Sequence, residues 1–242
     1  MTPSDAELLD VIRKAERDSL AWSLDRLDPA RDARQIMFLN AHGVNWAARN
    51  AAFRRGLMAT DHLLRDGIGL ALGLRMLGLR ATENLNGTDL IPKILERNKT
   101  AALAVWGSSE EALEKLALRL RSEGYENVVS LEHGFHEDAF YLDRYRALRP
   151  DIVVICMGMP RQELLAGQLT TEGTGGVIIC GGGWANFYSG HIPRAPLWVR
   201  RLRLEWLHRL GREPIRLGRR YTVDVVRYLA TVRRLARALH KA

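Results

Sequence analysis

Six short apolar runs alternate with stretches of helical spacing, and this alternation constrains the fold more than any other feature of the chain. The runs occupy residues 36–39, 62–64, 101–106, 128–130, 151–156 and 176–180. Several end in small or polar turns: Asn40-Ala-His, Asp66-Gly-Ile-Gly, Gly158-Met-Pro160 and Gly181-Gly-Gly183. A strand that is apolar throughout, rather than at every second residue, is buried on both faces. Strands of that kind alternating with helices belong to parallel sheets. The expected fold is therefore α/β, a mostly parallel Rossmann-like sheet with helices on both faces. The 242 residues allow one such domain, expected over 1–190 with an N-terminal helix in 1–30, plus a helical basic appendage over 191–242.

Local signals refine the outline. Ser4-x-x-Glu7 has the pattern of a capping box, predicting a helix to about Leu27 that Pro29 ends. Helical spacing covers 44–55 as one stretch, and another apolar helix reaches Leu77. The loop Asn86-Gly87-Thr88-Asp89 precedes a helix expected near Leu90, and Ser109 is placed to cap the next one. Cys156 and Cys180 are too few and too far apart for a disulfide scaffold, so they read as two reduced, buried thiols. No run approaches the roughly 20 apolar residues of a membrane span, and no apolar segment follows a basic start. A soluble, cytoplasmic chain is expected.

Charge is distributed unevenly. Residues 191–242 hold 14 basic and 3 acidic side chains, a net +11, so the first 190 residues carry −3 of the overall +8. Such asymmetry suits a polyanionic partner, either an anionic membrane surface or nucleic acid. After the hinge His191-Ile-Pro193-Arg194-Ala-Pro196, two helices are expected, over 197–210 and 215–240. The second carries one apolar stripe: Tyr221, Val225, Tyr228, Val232, Leu235 and Leu239. A basic helix with such a stripe suits a membrane interface, and it equally suits docking on its own domain or on a second subunit. Ordered Pro, Glu-Trp and Arg-Tyr punctuation, unlike a plain basic run, argues against nucleic acid.

Three turns carry candidate chemistry. Asp66 ends a strand, where open α/β sheets bind ligands, and a carboxylate there can serve as general base. Gly67 and Gly69 would let backbone amides approach a phosphate, and a simple helix cap by Asp66 remains the alternative. Arg161 and Gln162, behind Gly158 and Pro160 at a predicted first helical position, can face a diphosphate or sugar. Gly182 and Gly183, with Asn186 beyond, form the third turn. Converging along one sheet edge, such turns suit a nucleotide-sugar. Gly67-x-Gly69-x-x-x-Gly73 mimics a dinucleotide fingerprint with its last spacing wrong by one, and Glu83 sits in a polar loop, so a nicotinamide-dependent oxidoreductase is the weaker enzyme alternative. His133-x-x-His136 has no second ligand group at suitable spacing. Neither a Walker-type phosphate loop nor a Gly-x-Ser-x-Gly elbow is present.

Asn40-Ala-His, Asp66-Gly-Ile-Gly, Asn86-Gly-Thr-Asp-Leu90, Gly158-Met-Pro-Arg-Gln-Glu163, Arg194-Ala-Pro, Glu205-Trp-Leu-His-Arg209, Glu213-Pro-Ile-Arg216 and Arg220-Tyr221 occur in this order. The ordered set resembles the WecG/TagA/CpsF glycosyltransferases (glycosyltransferase family 26) over about residues 36–228. That resemblance implies inverting transfer of a hexose or N-acetylhexosamine from a UDP-sugar to a polyprenyl-diphosphate-linked saccharide, in cell-surface or exopolysaccharide synthesis. It further implies no bound metal or other cofactor, and a protein peripheral to the cytoplasmic face of the membrane. Asp66 falls on the family's proposed base, Gln162 on an active-site glutamine and Asn40 on an asparagine near the acceptor. Gly67, Gly69, Asn86, Thr88, Asp89, Gly158, Pro160, Arg161, Glu163, Gly182, Gly183, Asn186 and Arg194 are the expected substrate-binding set. Arg209, Arg212, Arg216 and Arg219 are the tail cations expected to meet the leaving diphosphate, no metal being available to do so. Three positions depart from the pattern: Phe38 stands for a small hydroxyl residue, Asn84 for an arginine, and Asn186 for an aspartate that suits a ribose. The exposed apolar stripe of the tail makes self-association a further expectation.

Overall fold

The computed structural model describes residues 2–27, 34–173, 175–202 and 204–240, and all side chains among them except those of Arg26 and Arg216. The N-terminal half runs α1 (Pro3–Ala21), a 3₁₀ turn (Leu24–Arg26), β1 (Arg34–Leu39), α2 (Ala41–Arg49), α3 (Ala51–Ala59), β2 (His62–Arg65), α4 (Gly67–Met76) and α5 (Gly87–Arg97). Next come β3 (Leu103–Gly107), α6 (Glu110–Ser122), β4 (Val128–Glu132), α7 (Asp138–Leu148), β5 (Ile152–Cys156), α8 (Arg161–Thr171), β6 (Val177–Cys180) and α9 (Trp184–Tyr188). The tail folds as α10 (Leu197–Arg201), α11 (Glu205–Arg212), α12 (Pro214–Tyr221) and α13 (Val223–Leu239).

The six strands form one sheet in the order β2-β1-β6-β5-β3-β4, and every pairing is parallel. Successive side chains of each strand serve opposite faces. Met37, Leu39, Ala104, Trp106, Val153, Ile155 and Ile178 meet α1–α4, α7, α8 and α13 on one face. Ile36, Phe38, Leu64, Val105, Val154 and Ile179 meet α5, α6 and α9 on the other. This double burial is the physical reason for the continuous apolar runs, and the expected α/β architecture is what the chain adopts. Because all strands run the same way, their carboxyl ends share one edge: Asn40, Asp66, Ser108, Met157-Gly158 and Gly181-Gly182 lie along it. Loops after β1 and β5 turn toward one face and those after β6 and β3 toward the other, which opens a crevice at that edge.

Several local expectations need correction. Thr2, not Ser4, caps α1 by accepting from the Asp5 amide, and α1 ends at Ala21; Pro29 lies outside the described residues. The stretch 44–55 is two helices, because Asn50 closes α2 and its Oδ1 accepts from Phe53 N to start α3. Asn86 caps α5 from Gly87 onward, three residues earlier than expected. Pro160 stands at the N-cap position of α8, one place before the first helical residue.

The tail differs most. Its described residues form four helices instead of two, and the stripe on the last of these is not free. Tyr228, Val232 and Leu235 are buried in the core, where α13 packs on α2 and α4. Tyr228 contacts the glycine pattern of α4 as well and explains Gly73. Its hydroxyl donates to Gly69 O at 3.0 Å, and a Cβ at Gly73 would come within 1.8 Å of that hydroxyl oxygen. The glycine spacing of α4 therefore admits a neighbouring helix; it is not a dinucleotide loop.

Candidate active site

Asp66 stands at the N-cap position of α4, yet its carboxylate makes no capping hydrogen bond, so the simple cap is ruled out as its role. Asp66 N donates to Leu39 O at 2.8 Å, locking the ends of β1 and β2 together. Asn40 Nδ2 donates to Asp66 Oδ2 at 3.3 Å, while Asn40 Oδ1 caps α2 by accepting from Gly43 N. The side chain of Asn40 is thus oriented by its own helix and presents its amide to the carboxylate. Burial pushes the Asp66 carboxyl above the ordinary aspartate range, against the Asn40 hydrogen bond and the charge of Arg220; Glu205 adds to the rise and Arg209 opposes it. A carboxylate with a raised pKa is, in its ionised form, a stronger base.

Arg209 and Arg220 come from α11 and α12, so the tail lies over the crevice. The Arg209 guanidinium stacks on Phe187 at 5.1 Å from the ring centroid, and its buried Nε has no hydrogen-bond partner among the described residues. Arg194 is a tether: it donates to Asp89 Oδ1 at 2.6 Å from α5 and to Glu205 Oε1 at 3.1 Å on α11. Asp89 resists burial and is held below the usual range by Arg194 and Asn86. Of the expected tail cations, Arg212 and Arg219 are exposed, and the side chain of Arg216 lies outside those described. Arg220 and Glu205 act on Asp66 and were not among the expected site residues. The Arg220-Tyr221 motif was the available signal.

The β5 and β6 turns are joined by Gln162. Its buried Oε1 accepts from Gly158 N at 3.2 Å and Gly182 N at 3.0 Å, and its Nε2 donates to Glu163 Oε1 at 2.7 Å. Glu163 is only 2% exposed, and burial pushes its pKa up to about 7; its Oε2 has no hydrogen-bond partner among the described residues. Both side chains therefore brace the crevice floor from beneath. Arg161 is likewise engaged: it bonds Gly134 O at 2.6 Å, the His136 carbonyl and Asp138, pinning the loop between β4 and α7. Gly183 stands at the N-cap position of α9, and Thr88 sits half-buried in the first turn of α5.

The three departures from the family pattern each have a local partner. Phe38 packs against Gly87, where a Cβ would meet its ring at 3.0 Å. Asn84 Oδ1 accepts from Gly67 N at 2.7 Å, so the amide expected to greet a phosphate is already engaged, and Gly69 is packed against Ala41. Asn186 Oδ1 accepts from Ser108 Oγ at 2.7 Å. Ser108 holds a left-handed φ of 69° just after β3, a strained conformation on the carboxyl edge. Ser108 N donates to Cys156 O, and Ser108 O accepts from Gly134 N. His133 and His136 stack on one another at 4.0 Å, and no group of three or more potential metal-binding side chains occurs among the described residues.

A parallel sheet whose carboxyl edge gathers one carboxylate of raised pKa near arginines suits group transfer from an anionic leaving group. The family model described as Glycosyl transferase WecG/TagA/CpsF family matches residues 9–241. The chain belongs to that family. Two relatives are each an N-acetylglucosaminyldiphosphoundecaprenol N-acetyl-beta-D-mannosaminyltransferase. The one from Bacillus spizizenii (strain W23) is 26% identical over 200 residues, 81% of this chain and 77% of the relative. The one from Bacillus subtilis (strain 168) is 28% identical over 181 residues, 73% of this chain and 70% of the relative.

Proposed function

We propose that this glycosyltransferase moves a sugar from a UDP-sugar to a polyprenyl-diphosphate-linked saccharide, inverting the anomeric carbon. The carrying observation is Asp66, oriented by Asn40 and raised in pKa, beneath Arg209 and Arg220. Asp66 takes the proton of the acceptor hydroxyl as that oxygen attacks the anomeric carbon. The bond from that carbon to the diphosphate oxygen breaks, and UDP leaves carrying the negative charge. One direct displacement inverts configuration. Arg209 and Arg220 stabilise the departing diphosphate. Ser108 and Asn186 offer hydroxyl and amide groups to the ribose, and the exposed ring of Phe135 gives the base a stacking face at the rim.

The relatives act on a lipid-linked N-acetylglucosamine and transfer N-acetylmannosamine, so amino sugars come first in the donor panel, with glucose as the exopolysaccharide-type alternative. The acceptor is anchored in a bilayer, and α10–α12 expose Leu197, Trp198, Leu202 and Ile215 among arginines. That surface suits peripheral contact with an anionic leaflet on the side where nucleotide-sugars are made. No described helix is long and apolar enough to cross a membrane.

The test is UDP release by the purified chain, offered UDP-sugars with a short-chain polyprenyl-diphosphate-N-acetylglucosamine acceptor. Acceptor-dependent release with one donor is expected, with the product's anomeric coupling opposite to that of the donor. Asp66→Asn is expected to lower the rate by about 10²–10⁴-fold. In the parent protein the acid limb of the rate profile should fall above the ordinary aspartate range, because Asp66 must be ionised to act. No UDP binding and no release across the panel would overturn the reading.

A further inference from the structure

His42 lies in the first turn of α2, two residues after Asn40. Trp46 Nε1 donates to His42 Nε2 at 3.1 Å. An indole N–H can only donate, so Nε2 is unprotonated and the neutral ring carries its proton on Nδ1. Nδ1 lies 3.2 Å from Asp224 Oδ2, a contact too oblique to count as a hydrogen bond, and it has no hydrogen-bond partner among the described residues. Asp224 is buried in the first turn of α13, and its carbonyl accepts from Asn45 Nδ2 at 2.6 Å. Two neighbours on α2 thus hold the start of α13, while Arg220, at the end of α12, stands just before the Thr222 joint. The charge of Arg220 acts on both Asp66 and His42.

We propose that His42 is a positioning residue, which holds Asp224 and the α12–α13 joint so that Arg220 faces Asp66. The inference rests on the reading of Asp66 as base and adds a residue to it. Arg220 must approach a carboxylate it is not to neutralise permanently, and it sits on a helix with few buried contacts of its own. Fixing the joint beside it restricts its reach. The charged groups facing the imidazole are Arg49 on α2, Arg220 on α12 and Asp224 on α13. Burial and Arg220 lower its pKa, opposed by Asp224, which keeps the ring neutral and its Trp46 bond intact at pH 7. Protonation on acidification would convert Nε2 from acceptor to donor and break that bond.

The experiment combines hydrogen exchange with steady-state rates on the full chain. His42→Ala is expected to speed exchange in 214–224 about tenfold while the sheet strands keep their protection. It should lower kcat about tenfold and leave the KM for the sugar nucleotide nearly unchanged. His42→Asn, whose amide can still donate to Asp224 but cannot take a proton, should restore protection and remove the histidine contribution to the acid limb. Unchanged exchange in His42→Ala overturns the proposal, as does faster exchange without a kcat effect. Should His42→Ala loosen the sheet too, Asp224→Asn, similar in size, decides by the same criteria. A parent chain silent in transfer with every donor overturns the glycosyltransferase reading, and the exchange result then judges the joint alone.

Discussion

Helix α13 and the segment α10–α12 are both basic and both amphipathic, yet the molecule treats them in opposite ways. α13 buries Tyr228, Val232 and Leu235 against α2 and α4, and two specific hydrogen bonds hold it there: Asn45 Nδ2 donates to Asp224 O, and Gly69 O accepts from the Tyr228 hydroxyl. α10–α12 bury little: Val199 and Leu217 are inside, no residue of α11 is, and Trp198, Leu202 and Ile215 are 65%, 61% and 99% exposed. The difference teaches that an apolar stripe tells which face is to be covered and not what covers it. For α13 the cover is the domain. For α10–α12 the crevice at the carboxyl edge lies on one side, and on our reading a lipid surface on the other.

The comparison can be broken by variants that separate stability from transfer. The largest effect is expected from Arg209→Ala and Arg220→Ala, each lowering the transfer rate about 10²–10³-fold, as loss of a charge-stabilising donor does, with the melting temperature unchanged. A buried carboxyl belonging to neither region gives a scale for stability. Glu163 titrates at about 7 in the folded chain against 4.5 when exposed. The folded state therefore keeps a proton that the unfolded state has lost. Stability from this group is full below pH 4.5 and falls as pH rises to 7. Glu163→Gln should abolish that loss, making the variant more stable by about 3 kcal/mol at pH 8, as read by denaturant titration at pH 4 and pH 8.

Next in size is Gly73→Ala, which drives a methyl group into Tyr228 and should cost about 1–3 kcal/mol in the same titration. It unseats α13 and tests whether that helix belongs to the core. The smallest effect should come from Trp198→Ser or Ile215→Ser, which leave stability alone and weaken co-sedimentation with anionic vesicles by about tenfold each. Vesicle binding unaltered by both, and lost on Gly73→Ala, would reverse the assignment of the two regions.

Much of the edge was legible before the fold was known. Asp66, Asn40, Gly158 and Gly182 follow strands, and parallel strands must bring their ends together. Gln162 and Arg161 sit in the expected turn, but both side chains work as braces: a side chain at a helix start can turn toward either the crevice or the neighbouring loop, and spacing is the same for both. Ser108 carried no signal, because its left-handed φ arises from where β3 meets the β5 and β6 loops. Likewise, the Gly67-x-Gly69-x-x-x-Gly73 pattern looked suited to a phosphate because its actual neighbours, Asn84 at Gly67 N, Ala41 at Gly69 and Tyr228 at Gly73, are invisible to local spacing.

The sequence by itself determined the parallel sheet, its two covered faces, the edge where the site forms and the concentration of positive charge in the tail. These follow from periodicity and chain direction, which are properties of neighbours along the chain. Only the tertiary structure decided which arginines reach Asp66, that Arg194 is a tether, and that the stripe of α13 is core while α10–α12 stay open. Those outcomes depend on which distant surface arrives to desolvate a group, and burial, unlike periodicity, is a property of the whole fold.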